Sequence, residues 1–229
     1  MKTIGLIGGM SWESTVTYYA MINEAVRTRL GGLHSAKILL YSVEFAEIER
    51  LQHEGRWDEA GALLADVARR LESAGAEFLV ICTNTMHLVA PRIEAAVKIP
   101  LLHIADPTAA EVQRRGIATV GLLGTRFTME KDFYRTRLER AGLRVVTPAE
   151  GDRDLVHRVI YDELCLGRIE DPSRDAYKDV IARLVAAGAE GIILGCTEIG
   201  LLIRPEDAPV PLFDTTALHA RAAAEMALE

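Results

Sequence analysis

The sequence has little cysteine, few aromatic residues, no long apolar run and no basic patch, and each shortage excludes something. Three cysteines, Cys82, Cys165 and Cys196, are an odd number in 229 residues, which argues against a disulfide framework and leaves each thiol as core filler, metal ligand or nucleophile. Aromatic residues make up 6%, apolar residues 49% and charged residues 26%. That is an ordinary globular composition and excludes collagen, coiled coil and disorder. The longest uncharged apolar stretch, Phe78 to Pro91, is interrupted by Thr83, Asn84 and Thr85 and is too short to span a bilayer. Lysine and arginine number 26 against 33 acidic residues, for a net charge of −7, and no cluster supplies the basic footprint that nucleic acid requires. The apolar run from Ile4 to Ile7 is too short for the core of a signal peptide. The expectation is a cytoplasmic protein with neither nucleic acid nor membrane as partner.

What is present is an alternation of short apolar runs with longer helical patterns. The runs are KTIGLIG (2–8), KILLYSV (37–43), EFLVICT (77–83), PLLHIA (100–105), ATVGLLG (118–124), LRVVT (143–147), GIILGC (191–196) and PLFD (211–214). Continuous apolar strands are buried on both faces, and helix-length separations call for crossover connections, so the pattern predicts an α/β fold with parallel sheets flanked by helices.

The runs also repeat. GLIGGM (5–10) is echoed by GLLGTR (121–126), RLESAGAE (70–77) by RLVAAGAE (183–190), and IPLL (99–102) by VPLF (210–213), at offsets of 116, 113 and 111 residues. Three pairs in the same order at nearly constant offset read as a duplicated half-domain. The expected architecture is two pseudo-symmetric lobes, 1–105 and 106–214, with the C-terminal helix 215–229 able to return to the first. The expected active site is an inter-lobe cleft at the C-terminal ends of the strands.

Two segments carry chemistry at such strand ends: Cys82-Thr83-Asn84-Thr85-Met86-His87 and Gly195-Cys196-Thr197-Glu198. Thr and Asn suit helix N-caps, where backbone N–H groups and the helix dipole favour an anion such as a carboxylate. A buried structural thiol is the ordinary fate of a lone cysteine, but the position of Cys196 at a strand-to-helix turn, matched in the other repeat, points to a reactive one.

GLIGGMSWEST, RLGGLHSA, CTNTMH, LLGTRFTM, ELCLG and GCTEIGLLI, spanning Gly5 to Ile203, resemble the aspartate/glutamate racemase family, particularly its broad-specificity amino-acid racemase branch. The resemblance implies catalysis without pyridoxal phosphate or metal. Two cysteines then act on opposite faces of the substrate α-carbon, one removing a proton while the other delivers one. It also implies a homodimer, a small amino acid as substrate with glutamate or aspartate first, and a cleft lined by Gly8, Gly9 and Met10, Gln52, Asn84, Thr85, Thr125 to Thr128 and Thr197. Maleate isomerases, hydantoin racemases and decarboxylases share that scaffold, and a non-catalytic amino-acid-binding protein is the reading from another class.

One catalytic position departs from the family pattern. Relatives read Cys-Asn-Thr at the first turn, whereas here Thr83 stands in that place. Arg70 to Thr83 spans 13 steps, as does Arg183 to Cys196, so the repeat pairs Thr83 with Cys196 and leaves Cys82 on the opposite strand face, as a core residue. Cys196 is expected as a thiol base with a pKa lowered from about 8.5 by a helix N-terminus, and Thr83 as a weaker proton carrier. In the loop ELCLG, where some acidic-substrate relatives carry a basic residue, this chain has Cys165-Leu166-Gly167, and Cys165 fits a core position better than a catalytic one. An exposed helix face is the commoner explanation of Gln52, Glu44 to Glu59 fits a solvated face or a lid, and His87 an orienting or satisfied histidine; G-x-x-G-G at Gly5 to Gly9 fits a tight turn better than a phosphate loop.

Overall fold

The computed structural model describes all residues from Met1 to Glu229. The chain divides into two compact units, one made of Met1–His103 with His219–Glu229 and the other of Ile104–Leu218. In the first, β1 (Ile4–Gly8), α1 (Trp12–Leu30), β2 (Ile38–Ser42), α2 (Phe45–His53), α3 (Trp57–Ser73), β3 (Phe78–Ile81), α4 (Ala90–Glu94) and β4 (Leu101–Leu102) follow one another. The second contains α5 (Ala105–Arg114), β5 (Thr119–Gly124), α6 (Arg126–Glu130), α7 (Asp132–Arg140), β6 (Arg144–Val146), α8 (Glu150–Asp162), α9 (Asp171–Ala186), β7 (Gly191–Gly195), α10 (Ile199–Leu202) and β8 (Leu212–Asp214). A last helix, α11 (Thr215–Leu228), begins in the second unit and continues into the first.

Each unit holds one four-stranded parallel sheet, in the orders β2-β1-β3-β4 and β6-β5-β7-β8. The registers repeat the sequence offsets. Gly5 pairs with Leu79 and Gly121 with Ile192; Leu79 pairs with Leu101 and Ile192 with Leu212. The central strands β1, β3 and β7 are buried throughout, as their unbroken apolar runs require. In the first sheet Ile7, Leu79 and Ile81 pack with α2 and α3, while Ile4, Leu6, Phe78 and Val80 pack on the other face with α1 and the alanines of α11. In the second, Leu123, Ile192 and Leu194 face α8 and α9, and Val120, Leu122 and Ile193 face α5 and α7. Each such fully buried aliphatic side chain contributes roughly 1.5–3 kcal/mol.

The Gly-Ala-Glu repeat has a structural explanation. Gly75 and Gly188 end α3 and α9 with φ of 100° and 97°, a region open to glycine because it has no Cβ. The chain then turns so that Ala76 and Ala189 donate back to Leu71 and Leu184, both at 3.0 Å. The glutamate that follows clamps the neighbouring strand: Glu77 accepts from the Thr3 N–H at 2.6 Å, and Glu190 from the Ala118 and Thr119 N–H groups at 2.9 Å. These two backbone donors, with Arg144 nearby, hold the Glu190 carboxyl below the usual carboxylate range. The duplicated motif therefore locks the start of each central strand to its partner.

Two glycine substitutions separate this turn from ordinary helix propensity. Gly188→Ala is expected to destabilise the protein by about 1–2 kcal/mol, because alanine is strained at positive φ. Gly151→Ala, in α8 with open space around the new Cβ, is expected to stabilise it by up to about 1 kcal/mol. Denaturant midpoints moving the same way in both variants would contradict this account of the turn.

Candidate functional site

In both sheets the first and third strands lie side by side and their crossovers leave in opposite directions, so their C-terminal ends border the switch point where open α/β sheets take ligands. The residues of interest stand there. In the first unit they are the Gly8-Gly9-Met10-Ser11 loop after β1 and the 82–85 turn after β3; in the second they are Thr125 after β5 and Cys196-Thr197-Glu198 after β7.

The helix after the first strand is capped in the same way in each unit, and its third residue lies against the end of the third strand. Ser11 caps α1 by accepting from the Ser14 N–H, and Thr125 caps α6 by accepting from the Thr128 N–H, both at 3.3 Å. The residue three past the cap then reaches the end of the third strand. Ser14 donates to the Cys82 carbonyl at 3.0 Å. Thr128 lies so close to Gly195 that a Cβ added there would sit 3.3 Å from its methyl group. Gly124 admits the Thr128 contact and Gly8 the close approach of Thr15, since an added Cβ would stand 3.1 Å from Thr128 and 2.5 Å from Thr15. The backbone just before Thr83 is thus held by a hydrogen bond, and that just before Cys196 by close packing of a threonine methyl group.

Alternation along the third strands decides which side chain emerges. Thr83 continues the face of Leu79 and Ile81, and Cys196 that of Ile192 and Leu194. Both keep 9% exposure, whereas Cys82 keeps none. Cys82 packs with Ile4, Leu6, Phe78 and Val80, and burial pushes its thiol far above the usual range. Cys165 is half-buried against the core around Cys196.

Two sequence expectations about this chemistry are corrected. The turns do not open long helices. Thr85–Val89 is a short 3-10 helix, Asn84 makes no side-chain capping bond to it, and α10 has four residues. Neither supplies the aligned peptides of a strong macrodipole. Nor is the Cys196 thiol lowered: burial and then the carboxylate of Glu198 push it well above its ordinary value. The thiol donates to Glu198 Oε2 at 3.0 Å, and the Thr197 hydroxyl donates to the same oxygen. Glu198 is itself buried. The sequence reading named Glu198 only as part of its motif; an acid two residues beyond the cysteine was the available signal.

The remaining predicted residues divide. Gln52 is not on an exposed face: it is 3% exposed and its Nε2 donates to Met86 Sδ at 3.0 Å, while Glu47, Glu49 and Arg50 of the same segment are partly or fully exposed. The Met10 side chain is buried in the core with Ile48, Leu51 and Met86, which leaves backbone as its contribution to the loop. Asn84, Thr85 and Thr125 are buried at the strand ends. Thr128 is fully buried and acts through Thr125 and Gly195. Ser11, His103 and His219, which sequence reasoning did not single out, are also buried, and His87 bonds the Thr83 carbonyl.

Fold and site together define a duplicated parallel α/β enzyme with a proton-bearing side chain on a strand-end turn of each half. Residues 7–223 match the Asp/Glu/Hydantoin racemase family, and the chain belongs to it. Its activity is accordingly that of an isomerase acting on amino acids. It is 23% identical over 227 residues, 95% of each chain, to the Bacillus subtilis (strain 168) protein named broad specificity amino-acid racemase RacX. Among solved structures it is similar to a candidate Asp/Glu racemase from Yersinia pestis, at 61% identity and a TM-score of 0.94, and to an aspartate racemase homologue from Pyrococcus horikoshii OT3, at 36% and 0.86; each comparison covers 100% of both chains. No helix is long and apolar enough to cross a membrane.

The contact between Cys196 and Glu198 has a direct readout. A negative neighbour disfavours the thiolate, so Glu198→Gln removes the repulsion and should lower the pH midpoint for alkylation of Cys196 by iodoacetamide by about 1 or more. Peptide mapping distinguishes Cys165 and should find Cys82 unmodified in the native protein. An unchanged or raised midpoint at Cys196 would remove Glu198 from this account.

Proposed function

We propose that the protein racemises small amino acids, glutamate and aspartate first, without pyridoxal phosphate or metal, using Cys196 and Thr83 on opposite faces of the substrate α-carbon. The observation that carries this reading is their equivalence. Each lies five residues beyond the position paired with the matching residue of the first strand, Ile4 or Val120. A two-base inversion needs two proton carriers held by similar frames, and the family supports the reaction class. By analogy with relatives, the protein acts as a cytoplasmic homodimer.

In the resting protein Cys196 carries its proton, and Glu198 is its acceptor. Transfer from sulfur to Glu198 Oε2 yields the thiolate, which takes the α-proton and becomes a thiol again. Asn84, Thr85 and Thr125, with neighbouring backbone N–H groups, hold the substrate carboxylate and oppose the charge that develops on it. Gln52 and the loop at Met10 border the same end of the first sheet, while Thr128 and Thr197 hold Thr125 and Glu198 in place. Thr83 supplies a proton to the other face and recovers one from water. A hydroxyl is a much weaker acid than a thiol, so the step through Thr83 limits turnover. Exchange of the α-hydrogen at the Cys196 face then outruns inversion.

Incubation of separate enantiomers in deuterium oxide, followed by NMR for label and chiral separation for inversion, tests chemistry and substrate together. Glutamate or aspartate should gain α-deuterium and invert, with one enantiomer labelled ahead of inversion. Cys196→Ala should lose both processes by about 100-fold or more, and Thr83→Ala should lose inversion by a similar factor while keeping one-sided exchange. Equal label entry into both enantiomers without a lag contradicts the assignment, and binding without exchange would make the protein a sensor of amino acids.

A further inference from the structure

We infer that His87 is a positioning residue for the proposed reaction: its Nδ1–H fixes the Thr83 carbonyl and so holds the Thr83 hydroxyl where it delivers its proton. The inference rests on the reading of Thr83 as the second proton carrier. His87 Nδ1 lies 2.8 Å from the Thr83 carbonyl oxygen. A carbonyl can only accept, so Nδ1 carries the hydrogen and Nε2 is the unprotonated nitrogen of a neutral ring. Burial, with His103 and His219 close by, keeps His87 well below the ordinary histidine range, so the ring stays in this one tautomer at neutral pH.

The brace has its own support. The His103 ring is 4.5 Å from that of His87 between centroids, and the His219 ring 5.8 Å. His219 is fixed in the opposite tautomer. Its Nε2 faces the Leu102 carbonyl at 2.9 Å and must donate, which leaves Nδ1 to accept from the Tyr18 hydroxyl at 2.8 Å. The ring that holds Thr83 therefore packs beside a ring anchored to β4 and α1. The three imidazoles do not form a group that could hold a metal ion. The turn also needs the brace. Asn84 provides no side-chain cap and the 3-10 helix after it has five residues, so the His87 side chain closes the turn from four residues downstream, in place of a cap.

The test uses the full chain. His87→Phe keeps an aromatic ring and removes the donor; His87→Asn keeps an amide donor near the position of Nδ1. In deuterium oxide, His87→Phe should lower inversion by about 10-fold or more while one-sided α-exchange stays within about 2-fold of the wild type, and His87→Asn should recover most of the inversion. A purely structural role would lower exchange and inversion in proportion, and that result overturns the inference, as does wild-type inversion in His87→Phe. Nitrogen-15 NMR of the wild-type histidines gives a second test that does not depend on a folded variant. His87 should be protonated at Nδ1, and an Nε2–H tautomer overturns the proposal. If the wild-type protein exchanges and inverts no amino acid, the functional reading fails and this inference fails with it; inversion in the wild type with an unaffected His87→Phe rejects the inference alone.

Discussion

A parallel sheet gathers the C-terminal ends of its strands along one edge, and here the close approach of the first and third strands at that edge determines everything above it. Each of these strands pairs over several residues in a fixed register, and their ends are tied by Ser14 to the Cys82 carbonyl in one unit and by Thr128 against Gly195 in the other. A side chain larger than hydrogen at Gly124 or Gly195 would push these strands apart, and one at Gly8 would collide with Thr15 of α1. Since side chains alternate along a strand, a one-residue slip would exchange Thr83 for Cys82 and put a threonine hydroxyl into the apolar core. The register is thus a condition on the chemistry as well as on stability.

The Gly-Ala-Glu turns enforce that register from the opposite end. Glu77 and Glu190 bind the first N–H groups of the neighbouring central strands, while Gly75 and Gly188 let the incoming helix reverse within one turn. These residues stand at the opposite end of the strands from the 82–85 and 196–198 turns. Their repetition reflects the need to fix the third strand against the first, and the same offsets recur because both units solve that problem with the same atoms.

Much of this was legible in the sequence. The eight strands are visible because buried parallel strands are continuous apolar runs, and the offsets between GLIG and GLLG and between the two Gly-Ala-Glu segments became the observed registers. Alternation alone sent Cys82 inward. What the sequence hid depends on contacts between distant residues or on small differences in local backbone. Gln52 reads as a helix-surface amide until Met86, 34 residues on, arrives beside it. His219 meets Tyr18 across 201 residues, so the histidine cluster beneath Thr83 has no linear signature. The thiol was expected to be acidic because a strand-to-helix turn suggests a dipole; the helix proved four residues long, and desolvation beside a carboxylate outweighed it.

The two turns occupy matching places after the third strands, but the groups behind them differ in a way that bears on proton movement. Behind Cys196 stands Glu198, an acceptor that can draw a proton from sulfur. Behind Thr83 stands His87, whose tautomer is fixed by the Thr83 carbonyl and whose burial opposes added charge, with His219 held in turn by the Leu102 carbonyl. On the proposed mechanism, one half releases a proton and the other keeps its turn neutral and fixed. In our reading this polarity fits the replacement of a family cysteine by threonine, since a hydroxyl that must not ionise gains nothing from an adjacent carboxylate. It need not bias the outcome. Racemisation has an equilibrium constant of one, so kcat/KM must be equal in the two directions however unequal the two proton carriers are, and the difference can appear only in how kcat and KM divide between enantiomers and in the lag between exchange and inversion.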